Sequence, residues 1–85
     1  MIYYVYLIKT INSRLNKTYV GYTNNLRNRL DKHNSNKGAR STKGFKWILI
    51  YKKKFISKSK AMSYEYKLKQ NRKKRNEIVE KYKYN

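Results

Sequence analysis

The sequence predicts a small α/β fold of the α+β type, in which three β-strands are flanked by helices. Three segments, residues 2–8, 17–22 and 47–55, are rich in β-branched and aromatic residues and have the length of strands. Two further segments, after Thr23 and after Ser57, repeat apolar residues at helical spacing behind residue types that cap helices. A chain of 85 residues is long enough for one domain, which we expect to span residues 1–85.

The first strand is predicted at residues 2–8 because this run is β-branched, aromatic or leucine throughout. Such a run is typical of a central strand or of one that is covered on both faces. Alternation places Tyr4, Tyr6 and Ile8 on one face, and Tyr3, Val5 and Leu7 on the other. Residues 9–16 are mostly polar and suit a hairpin loop to the second strand. An antiparallel hairpin would bring Tyr6 close to Tyr19, although two neighbouring tyrosines are also ordinary core packing.

The first helix is predicted from Asn24 to His33 or Asn34, with Thr23 or Asn24 as its cap. Helical spacing places Arg29 and His33 on the side of the leucines that face the sheet, and it points Arg27 to solvent. Buried polar groups require partners, and tyrosine hydroxyls or backbone carbonyls could supply them. Gly21, just before this helix, leaves the strand end open to close approach.

The segment of residues 34–44 is predicted to be a loop between the first helix and the third strand. Its cations and hydroxyl groups suit contacts with phosphate, and a solvated loop without a ligand is the alternative.

A second helix is predicted to begin behind Ser57 or Ser59. Its inner side is expected to carry Ala61, Met62, Tyr64, Leu68 and Arg72, and Glu65 falls within this stripe. Residues 71–75 are expected to form a basic turn. Asn76 would then cap a short final helix that docks on the core through Ile78, Val79 and Tyr82.

Composition indicates a polyanion as partner, because the chain has 23 Lys and Arg residues and only 4 Asp and Glu residues, which gives a formal net charge of +19. Nucleic acid is the natural polyanion for such a chain. The absence of cysteine excludes disulfides and cysteine-bound zinc, and a single histidine cannot build a histidine-rich metal site. The apolar runs at residues 1–8 and 47–51 are both too short to cross a bilayer, so we expect a cytoplasmic protein.

Few acidic residues are available for catalysis, and Glu65 is the only one predicted on an inward helical face. One inward carboxylate, one inward arginine, one histidine and two facing tyrosines suit phosphodiester cleavage with a single divalent metal. The carboxylate would hold the metal, the arginine would offset phosphate charge, and a phenol or imidazole would handle the proton.

These residues resemble the GIY-YIG endonucleases, in particular their small stand-alone bacterial members. Residues 4–6, Tyr-Val-Tyr, stand where the family has Gly-Ile-Tyr, and residues 19–21, Tyr-Val-Gly, stand where it has Tyr-Ile-Gly. Arg29, ten residues after Tyr19, matches the arginine of the family's helix, and His33 follows one turn later. Glu65 is similar to the family's metal-binding glutamate. Tyr4 departs from the first glycine of the family name.

The resemblance implies a three-stranded antiparallel sheet flanked by helices, with one Mg²⁺ or Mn²⁺ bound by Glu65. It implies that Tyr19 is the general base or orients the attacking water, and that Tyr6 holds the water and phosphate. Arg29 would stabilise the transition state, and His33 would assist or replace Tyr19 as base. Contacts with nucleic acid are expected from Gly21, Lys37, Arg40, Thr42, Lys43, Lys69 and Arg72.

The function implied is that of a metal-dependent DNA endonuclease that hydrolyses phosphodiester bonds in branched, flap or damaged DNA. A protein partner could direct such a short chain to its substrate. The alternative is a protein of the same fold that binds nucleic acid without cutting it.

Overall fold

The computed structural model describes residues 1–11 and 13–83. Its elements, in chain order, are the strands β1 (Tyr3–Ile11) and β2 (Thr18–Thr23), the helix α1 (Leu26–Asn34), the strand β3 (Lys46–Phe55), and the helices α2 (Lys58–Gln70) and α3 (Arg72–Lys83). A single 3-10 turn at Arg40–Thr42 lies between α1 and β3. The strands form one antiparallel sheet in the order β2-β1-β3. The predicted α+β fold with a three-stranded antiparallel sheet is therefore confirmed.

The central position of β1 explains its uninterrupted hydrophobicity, because both of its faces are covered. Val5 and Leu7 pack with residues of α2 and α3, among them Leu68. Tyr6 and Ile8 lie on the opposite face, where Trp47 of β3 and partly buried leucines of α1 cover them. The alternation predicted from the sequence is correct, and it separates the sheet into an α1 face and an α2/α3 face.

The hairpin register places Tyr6 opposite Gly21 and Ile8 opposite Tyr19. β1 continues to Ile11 instead of ending at Ile8, because its pairing with β3 extends to Thr10 and Ile11. On the other side of β1, a bulge in β3 separates the partners of Leu7 and Ile8.

Polar side chains cap the helices close to the predicted positions. Asn25 caps α1 by accepting a hydrogen bond from the amide of Asn28, one residue beyond the predicted caps. Ser57 caps α2, as one of the two alternatives predicted. No helix in the described part of the chain is both long and apolar enough to pass through a membrane.

The C-terminal third differs from the prediction, because α3 begins at Arg72 and not after Asn76. Asn71 accepts a hydrogen bond from the amide of Lys74, so the predicted basic turn is the first turn of a helix. Ile78 is buried as predicted, whereas Tyr82 is exposed.

The inner stripe of α2 is narrower than predicted. Ala61 and Leu68 are buried and Tyr64 is half-buried. Met62 is 46% exposed, and Arg72 lies beyond the helix with its side chain in solvent. Because Ala61 and Leu68 are the buried residues of α2, residues at the edge of the predicted stripe remain outside the core.

Candidate active site

A continuous chain of hydrogen bonds runs from α1, by way of Tyr6 on the central strand, to the 3-10 turn. Arg29 Nε donates to Tyr6 Oη at 3.3 Å. Tyr6 Oη lies 2.8 Å from His33 Nε2, and His33 Nδ1 lies 3.0 Å from Thr42 Oγ1. The hydroxyl of Thr42 donates to the carbonyl of Ala39 at 2.8 Å. Four side chains from β1, α1 and the 3-10 turn thus form one polar line inside an otherwise apolar layer.

The direction of these bonds fixes the tautomer of His33. Because the only hydroxyl proton of Thr42 goes to the Ala39 carbonyl, Thr42 Oγ1 can only accept from the imidazole. His33 Nδ1 therefore carries the proton, and Nε2 is left as an acceptor. Tyr6 Oη then donates to Nε2 while it accepts from Arg29.

Burial shifts the pKa values of the two central groups in opposite directions. Tyr6 is 2% exposed, and this burial raises the pKa of its phenol to about 12 although the Arg29 guanidinium acts against it. His33 is fully buried, and its burial, with the positive charge of Arg29, lowers its pKa to about 4. The hydrogen bond to Tyr6 raises the pKa of Arg29. At neutral pH the phenol is protonated and the imidazole neutral, which agrees with the direction of the bonds.

Two glycines make room for this line. A Cβ on Gly21 would overlap the phenol of Tyr6, which lies over the bare backbone of β2. A Cβ on Gly38 would overlap Nδ1 of His33. The group that approaches Gly21 is therefore a side chain of the protein itself.

Tyr19 completes the aromatic side of the site. Its ring centre lies 6.4 Å from that of Tyr6 and 5.0 Å from that of His33, and the side chain is half-buried. The predicted proximity of Tyr6 and Tyr19 is confirmed. The arrangement leaves Tyr19 more accessible than Tyr6.

Arg29 lies at the boundary between this buried line and solvent. It is half-buried, whereas Arg27 is exposed, so the predicted register of the helix is correct. A groove of about 220 Å³ opens beside Arg29, and Thr23, Asn28 and Lys32 contribute to its walls. A shallow polar groove of this kind suits a phosphate of an extended ligand.

Glu65 lies on α2 with its side chain 18% exposed, and it pairs with Lys69 at 3.8 Å. Its negative charge is one of the causes that raise the pKa of Tyr6. Within the described residues no three His, Cys, Asp or Glu side chains cluster in a way that could hold a metal. A lone, partly accessible carboxylate nevertheless fits Mg²⁺, which commonly keeps several waters and uses one or two carboxylates plus substrate phosphates.

The residues predicted to contact nucleic acid fall into three groups. Lys37, Arg40 and Lys43 are exposed around the loop that follows α1, and Lys69 and Arg72 are exposed on α2 and α3. Gly21 and Thr42 are buried, and the Thr42 hydroxyl is fully used by His33 and Ala39. This burial contradicts a direct contact of Thr42 with nucleic acid. The burial of His33 likewise excludes this imidazole as a base that touches water itself.

Sequence reasoning missed the residues that support the histidine. Thr42 orients the imidazole, Gly38 gives it space, and the side chain of Asn34 bonds the backbone amide and carbonyl of Trp47 at 2.7 and 3.1 Å. These bonds fasten the end of α1 to β3. The sequence signal for these residues was the presence of Gly38 and Thr42 in the polar segment of residues 34–44.

Comparisons with known proteins agree over almost the whole chain. The family model described as the GIY-YIG catalytic domain matches residues 2–83. A UPF0213 protein of Oceanobacillus iheyensis is 46% identical over 69 residues, which are 80% of this chain and 77% of that protein. A UPF0213 protein of Staphylococcus haemolyticus is 43% identical over 68 residues, 79% of each chain. The solution structure of a UPF0213 protein from Bacillus halodurans has a TM-score of 0.52 at 36% identity, covering 94% of this chain and 84% of that one.

Proposed function

Because this chain belongs to the GIY-YIG catalytic-domain family, whose members are nucleases, we propose that it is a divalent-metal-dependent DNA endonuclease. It would hydrolyse phosphodiester bonds in branched, flap or damaged DNA. The observation that carries this proposal is the unbroken hydrogen-bonded line from Arg29 through Tyr6 and His33 to Thr42. Such a line joins a group that can bind phosphate to one that can store a proton.

Tyr6 would receive the proton of the attacking water, and because Tyr6 is 2% exposed in the free protein, its hydroxyl would have to become accessible to this water when the substrate binds. Its hydroxyl donates to His33 and accepts from Arg29, which leaves one lone pair without a partner in the described part of the chain. A water that donates to this lone pair would be oriented for attack on phosphorus. As the water loses its proton to Tyr6 Oη, the phenol can pass its own proton to His33 Nε2.

The free protein resists this transfer, because a phenol with a pKa of about 12 faces an imidazole with a pKa of about 4. Moving the proton between them without substrate costs on the order of 10 kcal/mol. A phosphate bound to Arg29 reduces this cost, since the positive charge of Arg29 is one of the two causes that keep the imidazole neutral. Proton transfer is thereby coupled to substrate binding.

Tyr19 would then orient the water or a phosphate oxygen from the accessible side of the same cluster. This assignment gives Tyr6 the role of base, which the resemblance implied for Tyr19, and leaves Tyr19 the other role implied for it, that of orienting the water. The base role of Tyr6 is supported by its hydrogen bond to His33, which Tyr19 does not make in the described part of the chain. His33 acts through Tyr6 and is a positioning and proton-storing residue.

Glu65 would hold the Mg²⁺ or Mn²⁺ ion. A divalent ion there would polarise the phosphate and stabilise the charge that develops on its oxygens. Because a single protein carboxylate binds such an ion weakly, most of the remaining ligands would come from DNA and water.

The experiment is cleavage of end-labelled four-way junctions, flaps, linear duplexes and supercoiled plasmid with Mg²⁺, with Mn²⁺ and with chelator. We expect cleavage only with metal, and its loss in Tyr6→Phe and Glu65→Gln. Arg27→Ala is the matched control, since Arg27 is exposed on the same helix as Arg29. Tight binding of all substrates without cleavage by the unmodified protein would support the alternative of a non-catalytic nucleic-acid-binding protein.

A further inference from the structure

We propose that a second binding site for a nucleic-acid backbone lies on the α2/α3 face of the sheet, in a groove between α3 and the end of the β1–β2 hairpin. This groove, called the α3 groove below, is lined by residues that include Lys9, Thr18, Arg72, Arg75 and Asn76. Its volume is about 400 Å³, larger than the groove of about 220 Å³ beside Arg29. The inference rests on the proposed function in taking DNA as the polyanion and in placing one DNA backbone beside Arg29.

The α3 groove and the hydrogen-bonded line of Arg29, Tyr6, His33 and Thr42 lie on opposite faces of the sheet, whereas Glu65 lies on α2. Lys9 alternates with Val5 and Leu7, which pack under α2 and α3. Tyr6 and Ile8 lie on the other face, under α1. A straight DNA duplex lying along one face of this sheet cannot at the same time fill a groove on the other face.

The positive charge of the α3 groove favours the binding of an anion. Its lining includes the cations Lys9, Arg72, Arg75 and Lys83, and it includes no Asp or Glu. In residues 1–11 and 13–83 the ion pairs are Lys69–Glu65 and Lys83–Glu80, so the first three of these cations have no carboxylate partner there. Cations gathered in one groove repel each other unless an anion lies between them.

Arg75 gives the α3 groove a pre-positioned anchor. One terminal nitrogen of its guanidinium donates to the carbonyls of Leu68 and Lys69 at the end of α2. These bonds hold the planar group in place and leave its other nitrogens without a protein acceptor in the described chain. A fixed guanidinium loses little side-chain entropy when it binds phosphate.

Neutral donors complete a lining that suits a phosphodiester chain more than a single small anion. Asn16, Thr18 and Asn76 line the groove together with the cations. Cations mixed with amides and hydroxyls are the usual partners of DNA backbone oxygens. With one backbone beside Arg29 and another in the α3 groove, the protein would contact two arms of DNA that leave the site in different directions. Branched DNA has this geometry.

The test compares two variants that each lose two positive charges. Lys9→Gln combined with Arg72→Gln changes the α3 groove, and Arg75 is left intact because it caps α2. Lys58→Gln combined with Lys60→Gln removes the same charge from exposed positions at the opposite end of α2. Binding of a four-way junction and of a 20-base-pair linear duplex is measured in chelator at several salt concentrations, and amide shifts are followed by NMR.

We expect the groove variant to bind the junction about tenfold more weakly at 0.1 M salt, and its salt slope to fall by about 2. Its affinity for the linear duplex should fall less than threefold, and the control should retain the preference for the junction. Junction DNA should shift the amides of Lys9, Thr18 and Asn76 in the unmodified protein. Equal losses for both DNAs, or unshifted groove amides, would overturn the proposal.

This result is independent of the nuclease proposal, because chelator prevents any metal-dependent cleavage. A protein that cuts DNA while its groove amides stay unshifted would refute only the second site. A protein that binds DNA in the α3 groove but never cuts would refute only the endonuclease.

Discussion

Replacing Thr42 by valine tests whether the buried hydrogen-bonded line controls the proton on His33. Valine has nearly the shape of threonine but lacks the hydroxyl that accepts from His33 Nδ1 and donates to Ala39. The imidazole is fully buried, so its Nδ1 atom would be left without a hydrogen-bond partner in either tautomer. An unsatisfied buried donor costs roughly 1–3 kcal/mol, and we expect a loss of unfolding free energy of this size.

The same substitution should change the tautomer of His33. With Thr42 gone as acceptor, the proton is more stable on Nε2, and Tyr6 then loses the acceptor for its own hydroxyl. We expect kcat for DNA cleavage to fall about 10²-fold, the lower end of the effect of losing a proton-transfer group. KM should change little, because Thr42 does not reach the surface.

The assay benefits from the presence of a single histidine in the chain. Two-bond ¹⁵N–¹H correlation spectra of ¹⁵N-labelled histidine report which ring nitrogen carries the proton, without ambiguity of assignment. Thr42→Ser should restore both the Nδ1–H tautomer and cleavage, and Ser41→Ala at the exposed neighbouring position is the control. A Thr42→Val protein that keeps the Nδ1–H tautomer and cuts DNA normally would refute the role given to this line.

Three further predictions concern the site. Arg29→Ala should lower the cleavage rate about 10²-fold or more, whereas Arg27→Ala should cut DNA normally. Circular dichroism should show that both variants are folded. An inactive Arg27→Ala protein beside an active Arg29→Ala protein would show that the α1 register is wrong. Glu65→Gln should abolish metal-dependent cleavage while DNA affinity, measured by fluorescence anisotropy, stays close to that of the unmodified protein; full activity in Mg²⁺ would reduce Glu65 to the partner of Lys69. The third concerns acid: because the pKa of His33 is lowered from 6.5 to about 4, the unfolded chain binds the extra proton between these values. The free energy of unfolding should therefore be highest above pH 6.5 and should fall by roughly 2–3 kcal/mol on acidification to pH 4–5, as measured by urea unfolding. An equal fall in the His33→Gln variant would assign the effect to other groups.

The sequence could predict elements whose signals are local. The run of residues 2–8 indicated a strand covered on both faces, and β1 is the central strand with Val5 and Leu7 on one side and Tyr6 on the other. The helical spacing of Arg27 and Arg29 predicted which arginine faces inward, because that depends only on 3.6 residues per turn.

Local signals failed where several elements compete for the same residues. The basic segment 71–75 suggested a turn, yet Asn71 caps α3 and Arg75 closes the end of α2 with its side chain. Met62 and Tyr82 belong to apolar stripes by spacing but are exposed, since contact with the sheet uses only part of each helix. How wide a buried stripe becomes depends on the surface that the helix meets, and the helix sequence does not contain that surface.

The sequence by itself determined the residue types of the site, its positive charge and the two faces of the central strand, since composition and periodicity carry this information. Only the tertiary structure decided what those residues do. Tyr6, His33 and Thr42 are separated by 27 and 9 positions, and folding places them within hydrogen-bonding distance. That contact sets the tautomer and buries His33, and it is the basis on which we propose Tyr6 as the proton carrier. Burial and the direction of a hydrogen bond are properties of neighbours in space, which spacing along the chain does not encode.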